Sequence, residues 1–225
     1  MPLKVNWHAK ATRFTLRLDA ASGGARLTLP MHADLEDAIK FLKRHERWLI
    51  GERRKLLRLE EDQDDHLLPL RGEMHEVVET GSGTRRVWVE DGNEDVLPRL
   101  MISGPEDTAK GRMLRWLKVQ AREDIQSAVE HHGAQLEVRH KTVSIRDQRS
   151  RWGSCSTTGT LSFSWRLIMA PRYVLDYVAA HEVAHLREMN HSKRFWAEVE
   201  KTYGDTTSPR KWLRKHGQGL HRFGR

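Results

Sequence analysis

The segment HEVAHLREMNH, residues 181–191, constrains this chain more than any other part of its sequence. Two histidines four positions apart project from the same face of a helix, so His181 and His185 can bind one metal ion together. Glu182 lies about 100° further around that helix, where its carboxylate can act as a general base on a water molecule beside the metal. This spacing is typical of zinc-dependent hydrolases.

The pattern requires a third ligand, because catalytic zinc is usually held by three protein side chains. His191 is the best candidate, since Asn190 can adopt a left-handed conformation and so end the helix. Ser192 can then begin the next helix, which leaves His191 at the corner between the two helices. Three glutamates that follow the motif remain alternatives for the third position: Glu188, Glu198 and Glu200.

The residues that precede the motif predict that its helix is buried. Val178 and Val174 lie on the face of His181, one and two turns earlier. Burying two histidines and a glutamate without a partner is costly. We therefore expect one zinc ion per chain, bound by His181, His185 and a third ligand, for which His191 is the favoured candidate.

Cysteine content and hydropathy suggest a location for the protein. Cys155 is the only cysteine among 225 residues, so no intramolecular disulfide can form, which fits a reducing compartment. No apolar run approaches the ~20 residues that span a bilayer, and the first residues lack the apolar core of a signal peptide. The expectation is a cytoplasmic protein with no membrane partner.

The positive charge of the chain is unevenly distributed. The net charge is +8, yet residues 1–112 carry −1 and residues 113–225 carry +9. The basic half is also the half with the histidines. Such a field can attract nucleic acid, nucleotides or acidic peptides, and it can equally be a solvated surface.

The first half of the chain predicts a small β-rich lobe. Alternating apolar residues at 12–19 and 25–30 indicate a hairpin. A helix capped by Asp34 follows, with apolar positions at Leu35, Ala38, Ile39, Leu42, Trp48 and Leu49. Further strands are predicted at 75–80, 85–90 and 99–103. Gly104 and Pro105 open a long helix, so we divide the chain into an N-terminal lobe, 1–104, and a second domain, 105–225.

The second domain is predicted to combine strands with helices. The long helix buries a stripe of Met113, Leu117, Ala121, Ile125 and Ala128. Residues 141–156 are strand-like, 157–159 form a turn, and 160–168 form another strand. A helix starts at Pro171 and carries the histidine motif. Ser192 caps the next helix, and a last helix runs over 208–217 with Gly217 past its end.

The motifs of this half resemble those of the YgjP-like metallopeptidase family, zincins related to the SprT-like proteases. The resemblance is carried by RWGSCS at 151–156, the strand from Gly159, AP at 170–171 and HEVAHLREMNHSKRFW at 181–196. It implies an α+β fold with a zincin-like domain, in which a small antiparallel sheet lies beside the HExxH helix. It also implies a zinc hydrolase in which His181, His185 and His191 bind the metal and Glu182 is the base. The metzincins share the histidine spacing, but the glycine that they require midway is Glu188 here.

Arginines and a tryptophan near the RWGSCS motif are candidates for substrate binding. In zincins an edge strand beside the active helix pairs with extended substrate. Arg151, Trp152 and Arg166 are the predicted substrate contacts, although a strand-edge or core role is the alternative for each. We expect Cys155 to be a buried core residue.

Three functions are compatible with these features. The favoured one is a zinc metallopeptidase that acts on peptides or proteins. A zinc hydrolase of nucleotides or other phosphoanhydrides is the second, because the histidine half is basic. A nucleic-acid-binding protein with a structural zinc is the third, and Glu182 argues against it because a structural site needs no base. The sequence leaves the oligomeric state open.

Overall fold

The computed structural model describes most of the chain as a mixed α+β structure, over residues 2–19, 24–61, 66–148, 151–221 and 223. The chain divides into two compact units, Met1–Asp64 and Asp65–Arg225. Within the described ranges, no helix combines the length and apolarity needed to cross a bilayer.

The first unit pairs a three-stranded sheet with one helix. Its strands are β1 (Leu3–His8), β2 (Thr15–Asp19) and β3 (Gly24–Pro30), in the order β1-β3-β2, and its helix is α1 (Leu35–Glu61). The antiparallel pairing of β2 with β3 confirms the predicted hairpin. Strand β1, which pairs in parallel with β3, was not predicted.

Fewer apolar residues of α1 are buried in the core of the first unit than their spacing predicted. Leu27 and Leu29 on β3 pack with Ala38 on the helix. Leu35, Ile39 and Trp48 were predicted to share this buried face, but all three are exposed. A sheet of three short strands covers only one stripe of the helix, so these apolar positions lie outside the contact.

The second unit begins with a four-stranded sheet. Its strands are β4 (Leu67–Leu70), β5 (Glu73–Glu79), β6 (Val87–Glu90) and β7 (Arg99–Ile102), in the order β4-β5-β7-β6. Strand β4 contains Pro69 and was not predicted, because proline is uncommon in strands. The sequence assigned this sheet to the N-terminal lobe, whereas it lies in the same compact unit as the histidines.

The turn between β4 and β5 explains why the sheet belongs to this unit. The backbone N–H groups of Arg71 and Gly72 donate to the carbonyls of Ile168 (2.6 Å) and Met169 (3.3 Å). The Arg71 guanidinium also donates two hydrogen bonds of 2.8 Å to the carboxylate of Asp124. These contacts hold the turn to residues that directly precede the histidine helix.

A long helix forms the centre of the second unit. Helix α2 (Ala109–Gln135) follows a 3-10 turn at Glu106–Thr108. The predicted stripe of Leu117, Ala121, Ile125 and Ala128 is buried in the main core. The long helix opened by Gly104 and Pro105 is therefore confirmed, with a start a few residues later than predicted.

A small sheet lies beside the histidine helix. It consists of β8 (Thr142–Arg146), β9 (Gly153–Cys155) and β10 (Thr160–Ser164), in the order β8-β10-β9. The predicted antiparallel sheet is wrong in part, because β10 pairs in parallel with β8 and antiparallel with β9. The chain passes from β8 at one edge to β9 at the other before β10 enters between them, so β8 and β10 run in the same direction.

Three helices complete the second unit: α3 (Arg172–Ala184), α4 (Lys193–Tyr203) and α5 (Thr207–Leu220). The predicted strand over 160–168 ends at Ser164 and continues as a buried 3-10 turn, Trp165–Met169. Gly217, predicted to lie past the end of the last helix, is inside α5. That helix continues because Leu220 is buried in the main core.

We predict that replacing Gly72 by alanine lowers the free energy of unfolding by about 2 kcal/mol. Gly72 has a φ of 86°, and a Cβ atom there would lie 2.8 Å from the Cα of Pro171. Urea denaturation followed by tryptophan fluorescence measures the effect.

Gly111→Ala is the matched control for this prediction. Gly111 lies within α2, and the nearest atom to its added Cβ is the Arg115 guanidinium at 3.7 Å. This variant should gain about 0.5–1 kcal/mol. A Gly72→Ala protein as stable as Gly111→Ala would contradict the role assigned to the turn.

Candidate metal centre

The three histidines of the motif converge at the end of α3. His181 lies in the last turn of α3, His185 follows the helix directly, and His191 lies in the connection to α4. One nitrogen from each ring lies within 4.8 Å of the others, and Nε2 of His191 is 3.1 Å from Nε2 of His181. Two nitrogens bound to one tetrahedral zinc ion lie about 3.3 Å apart, so the donor set fits such an ion.

The helix ends by a different mechanism from the predicted one. Among the described residues, the non-glycine positions with positive φ are Arg71 and Glu137, so Asn190 is not left-handed. Instead, the N–H groups of Leu186 and Arg187 each bond to the carbonyl three residues earlier, at 3.0 Å. This tightened turn ends α3 at Ala184, and the chain after it carries His191 back towards the helix.

One hydrogen bond orients the ring of His185, and another caps the N-terminus of α4. The His185 Nδ1 atom lies 3.0 Å from the Glu188 carbonyl oxygen, to which it donates. That bond leaves Nε2 as the free donor atom for a metal. Ser192 caps α4, since its Oγ accepts a hydrogen bond from the Phe195 N–H at 3.3 Å. This cap confirms the predicted helix start.

Phe195 is the packing centre of the histidine cluster. Its ring is fully buried and stacks on His185 with a centroid distance of 4.4 Å. The same ring lies 4.8 Å from both His181 and His191 in edge-on contacts. A single side chain from α4 therefore contacts all three imidazoles.

A buried polar network holds α4 against the other two helices. His132 on α2 is 1% exposed, and its ring nitrogens lie 2.7 Å from Thr202 Oγ1 and 3.0 Å from Asp176 Oδ1. Asp176 belongs to α3 and Thr202 to α4, so one imidazole connects three helices. Thr202 also donates to Gln135 Oε1 at 2.7 Å.

Burial favours the neutral form of two imidazoles of the cluster, His181 and His185. Burial lowers the pKa of His181 to about 3, with further lowering from His185, His191 and Arg210. Burial also lowers the pKa of His185. Neutral imidazoles have the free lone pairs that a metal requires, so no proton must leave them at neutral pH.

Glu182 is buried beside the cluster with a shifted pKa. Its side chain is 6% exposed, and burial raises its pKa to about 7 while the nearby charge of Arg151 opposes the shift. A Cβ atom on Gly153 would lie 2.5 Å from Cγ and 2.6 Å from Oε1 of this glutamate. The carboxylate is thus in contact with the backbone of β9, in a space that only glycine leaves open.

The alternative glutamate ligands are not brought into the cluster. Within the described part of the chain, the group of side chains that could hold a metal consists of the three histidines. Glu198 instead pairs with Arg187 at 3.4 Å. Of the candidates for the third position, His191 has the geometry that a shared ion requires.

The predicted substrate contacts differ in their surroundings. Arg151 is exposed and close enough to Glu182 to affect its pKa. Trp152 is half-buried and stacks on His221 with a centroid distance of 4.5 Å. Arg166 is 3% exposed, forms an ion pair with Asp147 and donates to the Phe223 carbonyl at 2.9 Å. These contacts favour a structural role for Arg166 at the C-terminal end of the chain.

Cys155 was predicted to be a buried core residue, but it is only partly buried, at the border of the main core. It packs against the main core, and burial together with Glu182 raises the pKa of its thiol to about 11. A protonated thiol is a poor metal ligand. Cys155 is accordingly outside the group of potential ligands.

Gly153 and Phe195 have roles that the sequence analysis missed. Gly153 was seen only as part of a strand, although a glycine inside a strand often marks a close approach by another group. Phe195 lies within the 181–196 segment that carries the family resemblance. No signal in the sequence indicates that its ring contacts the imidazoles, because that contact depends on the angle between α3 and α4.

Comparison with known proteins places these features in a family. The sequence matches the model of the YgjP-like metallopeptidase domain over residues 13–216. No curated protein matches it significantly.

Two crystal structures of metallopeptidase zymogens are similar to part of the chain. Abylysin from Pyrococcus abyssi has 24% identity and a TM-score of 0.37, over 42% of this chain and 93% of its own. Jannalysin from Methanocaldococcus jannaschii has 22% identity and a TM-score of 0.37, over 43% of this chain and 90% of its own. The family match, which spans most of the sequence, is the finding that identifies the protein: the chain belongs to the YgjP-like metallopeptidase family.

Proposed function

We propose that this metallopeptidase cleaves peptide bonds at one zinc ion held by His181, His185 and His191, with Glu182 as the general base. The observation that carries the proposal is the convergence of three imidazoles beside a buried carboxylate. Three nitrogen ligands with a fourth position open are typical of catalytic zinc. When bound, zinc would polarise the substrate carbonyl and make a neighbouring water more acidic.

Glu182 carries the proton transfers in this mechanism. A general base works best when its pKa lies near the operating pH, and burial raises the pKa of Glu182 to about 7. Its carboxylate takes a proton from the attacking water as the C–O bond forms. The same group then gives that proton to the leaving amine as the C–N bond breaks.

Strand β9 is the proposed support for the substrate backbone. It pairs with β10 on one side, and among the described strands none pairs with its other side. An extended peptide can add to such an edge through main-chain hydrogen bonds. Arg151 and Trp152 are adjacent to β9 and are proposed to contact the substrate there.

Metal analysis and peptide hydrolysis together test the proposal. Protein purified without added metal should contain one zinc ion per chain, or regain activity when zinc is added after chelation. A panel of peptides and nucleotides should show turnover of peptides. Negligible metal content that zinc cannot restore would contradict the proposed site, and turnover of nucleotides alone would contradict the proposed substrate.

We predict that His191→Ala weakens zinc binding by more than about 100-fold. Loss of a group that only hydrogen-bonds to a ligand typically costs about 10- to 100-fold, and His191 is proposed as a ligand itself. Zinc titration should be run beside alanine variants of Glu188, Glu198 and Glu200. Wild-type affinity in His191→Ala, with a large loss in one glutamate variant, would move the third ligand to that glutamate.

We predict that Glu182→Gln keeps its zinc and loses about 100- to 10,000-fold in kcat, as expected for removal of a general base. Glutamine has nearly the same shape but cannot accept the proton. The comparison needs metal content and kcat from the same preparation. Wild-type turnover by this variant would show that another group is the base.

We predict that Gly153→Ala reduces kcat/KM by about 100-fold, the usual effect of displacing a reacting group by about 1 Å. The added methyl group occupies the position of the Glu182 carboxylate, which must move away from β9. Zinc content should stay at the wild-type value.

Gly219→Ala is the control, because a Cβ atom on this α5 glycine has no heavy atom within 4 Å. It should retain wild-type kcat/KM. Equal activity of the two variants would show that the contact between Gly153 and Glu182 is not required.

A further inference from the structure

A small pocket lies beside the candidate metal centre, just beyond the C-terminal end of β9. Strand β9 runs from Gly153, next to Glu182, to Cys155, and the next residue, Ser156, lines the pocket. His185, at the end of α3, also lines it. The pocket is therefore lined by residues that directly follow β9 and α3, the two elements that carry the proposed active site. A peptide extended along β9 would reach this pocket with a group close to the scissile bond.

The size and lining of the pocket suit a single group with a polar end. Its volume is about 350 Å³, at the small end of the range for ligand pockets. Leu186 and Met189 provide apolar surface from the end of α3. The turn between β9 and β10 adds hydroxyl groups, and Gly159 in that turn lies against Leu186. The lining consists of Val138, Arg139, Ser156, Thr157, Gly159, His185, Leu186 and Met189.

Arg139 gives the pocket an uncompensated positive charge. Its side chain is exposed, and it forms no ion pair with any residue in the described ranges. Among the described residues that line the pocket there is no aspartate or glutamate. The metal proposed at His185 would add positive charge beside the pocket. An anionic group would thus be favoured in the pocket, and a lysine or arginine side chain would be repelled.

The chemistry of arginine indicates which anionic group fits. A guanidinium presents parallel N–H donors that match the two oxygens of a carboxylate. The apolar wall formed by Leu186 and Met189 can cover the methylene groups that precede such a carboxylate. In a peptide, this group is either an acidic side chain or the C-terminal carboxylate.

We infer that this pocket, the Arg139 pocket, binds a carboxylate of the substrate and makes the enzyme selective for peptides with an acidic group near the scissile bond. The inference rests on the proposed peptidase function and adds a substrate class to it. The two sources of the carboxylate, a side chain and a chain terminus, are separated by the experiment.

The test uses one cleavable peptide in several forms. Glutamate, glutamine or lysine is placed at successive positions on either side of the scissile bond, and each peptide is made with a free or an amidated C-terminus. The wild-type enzyme should prefer glutamate over glutamine at one position, or the free over the amidated terminus, by about 2- to 5-fold in kcat/KM, the upper part of the range for an exposed ion pair.

Variants of Arg139 test whether the pocket is the source of this preference. Arg139→Gln should reduce the ratio of kcat/KM values to about 1, and Arg139→Glu should reverse it in favour of lysine. Arg122→Gln is the matched control, because Arg122 is an exposed arginine of α2 that does not line the pocket. It should keep the wild-type ratio.

The possible failures are distinguishable. If the wild type cleaves acidic and neutral peptides equally and Arg139→Gln changes no ratio, the inference is overturned while the peptidase function stands. If the wild type cleaves no peptide, the proposed function fails. Fluorescence anisotropy of labelled peptides with Glu182→Gln then tests the pocket alone. Tighter binding of the acidic peptide that is lost in the double variant with Arg139→Gln supports the pocket, and equal binding overturns it.

Discussion

The packing of Phe195 among three imidazole rings is the contact on which the rest of the metal centre depends. His181 and His185 are placed by the regular geometry of one helix, but His191 comes from the connection that follows it. The Phe195 side chain, from α4, contacts all three rings at once. The angle of α4 is in turn set by the Ser192 cap and by the buried network of His132, which bonds to both α3 and α4. The three imidazoles are therefore brought together by the packing of helices as well as by the motif.

The same burial that surrounds the imidazoles also shifts the pKa values of the residues in the site. Removing the imidazoles from water lowers the pKa of His181, because the charged form of histidine loses solvation. Removing the carboxylate from water raises the pKa of Glu182 for the corresponding reason. Burial thus shifts the pKa values of two neighbouring residues of one helix in opposite directions. It favours the neutral imidazole of His181 and gives the Glu182 carboxyl group a pKa near neutral pH. The contact with Gly153 restricts where that base can lie.

Segments far from the motif in sequence hold the framework around it. The turn at Arg71 and Gly72 bonds to the backbone just before α3, and Arg71 is tied to Asp124 on α2. At the other side of the small sheet, Arg166 binds the Phe223 carbonyl, and Trp152 stacks on His221. Trp152 directly precedes Gly153, so the C-terminal residues contact the segment that borders Glu182. The active site depends in this way on both the four-stranded sheet and the end of the chain.

The sequence by itself determined the elements whose signals are local. The spacing of His181, Glu182 and His185, the start of α4 at Ser192 and the buried stripe of α2 follow from helical periodicity and capping, which involve residues a few positions apart. Tertiary structure alone decided the parallel pairing of β8 with β10 and the place of the β4–β7 sheet in the second unit. It also decided that Arg166 binds Phe223 and that Gly153 faces Glu182. Each of these features depends on contacts between residues distant in the chain, and such contacts leave no periodic pattern in the sequence.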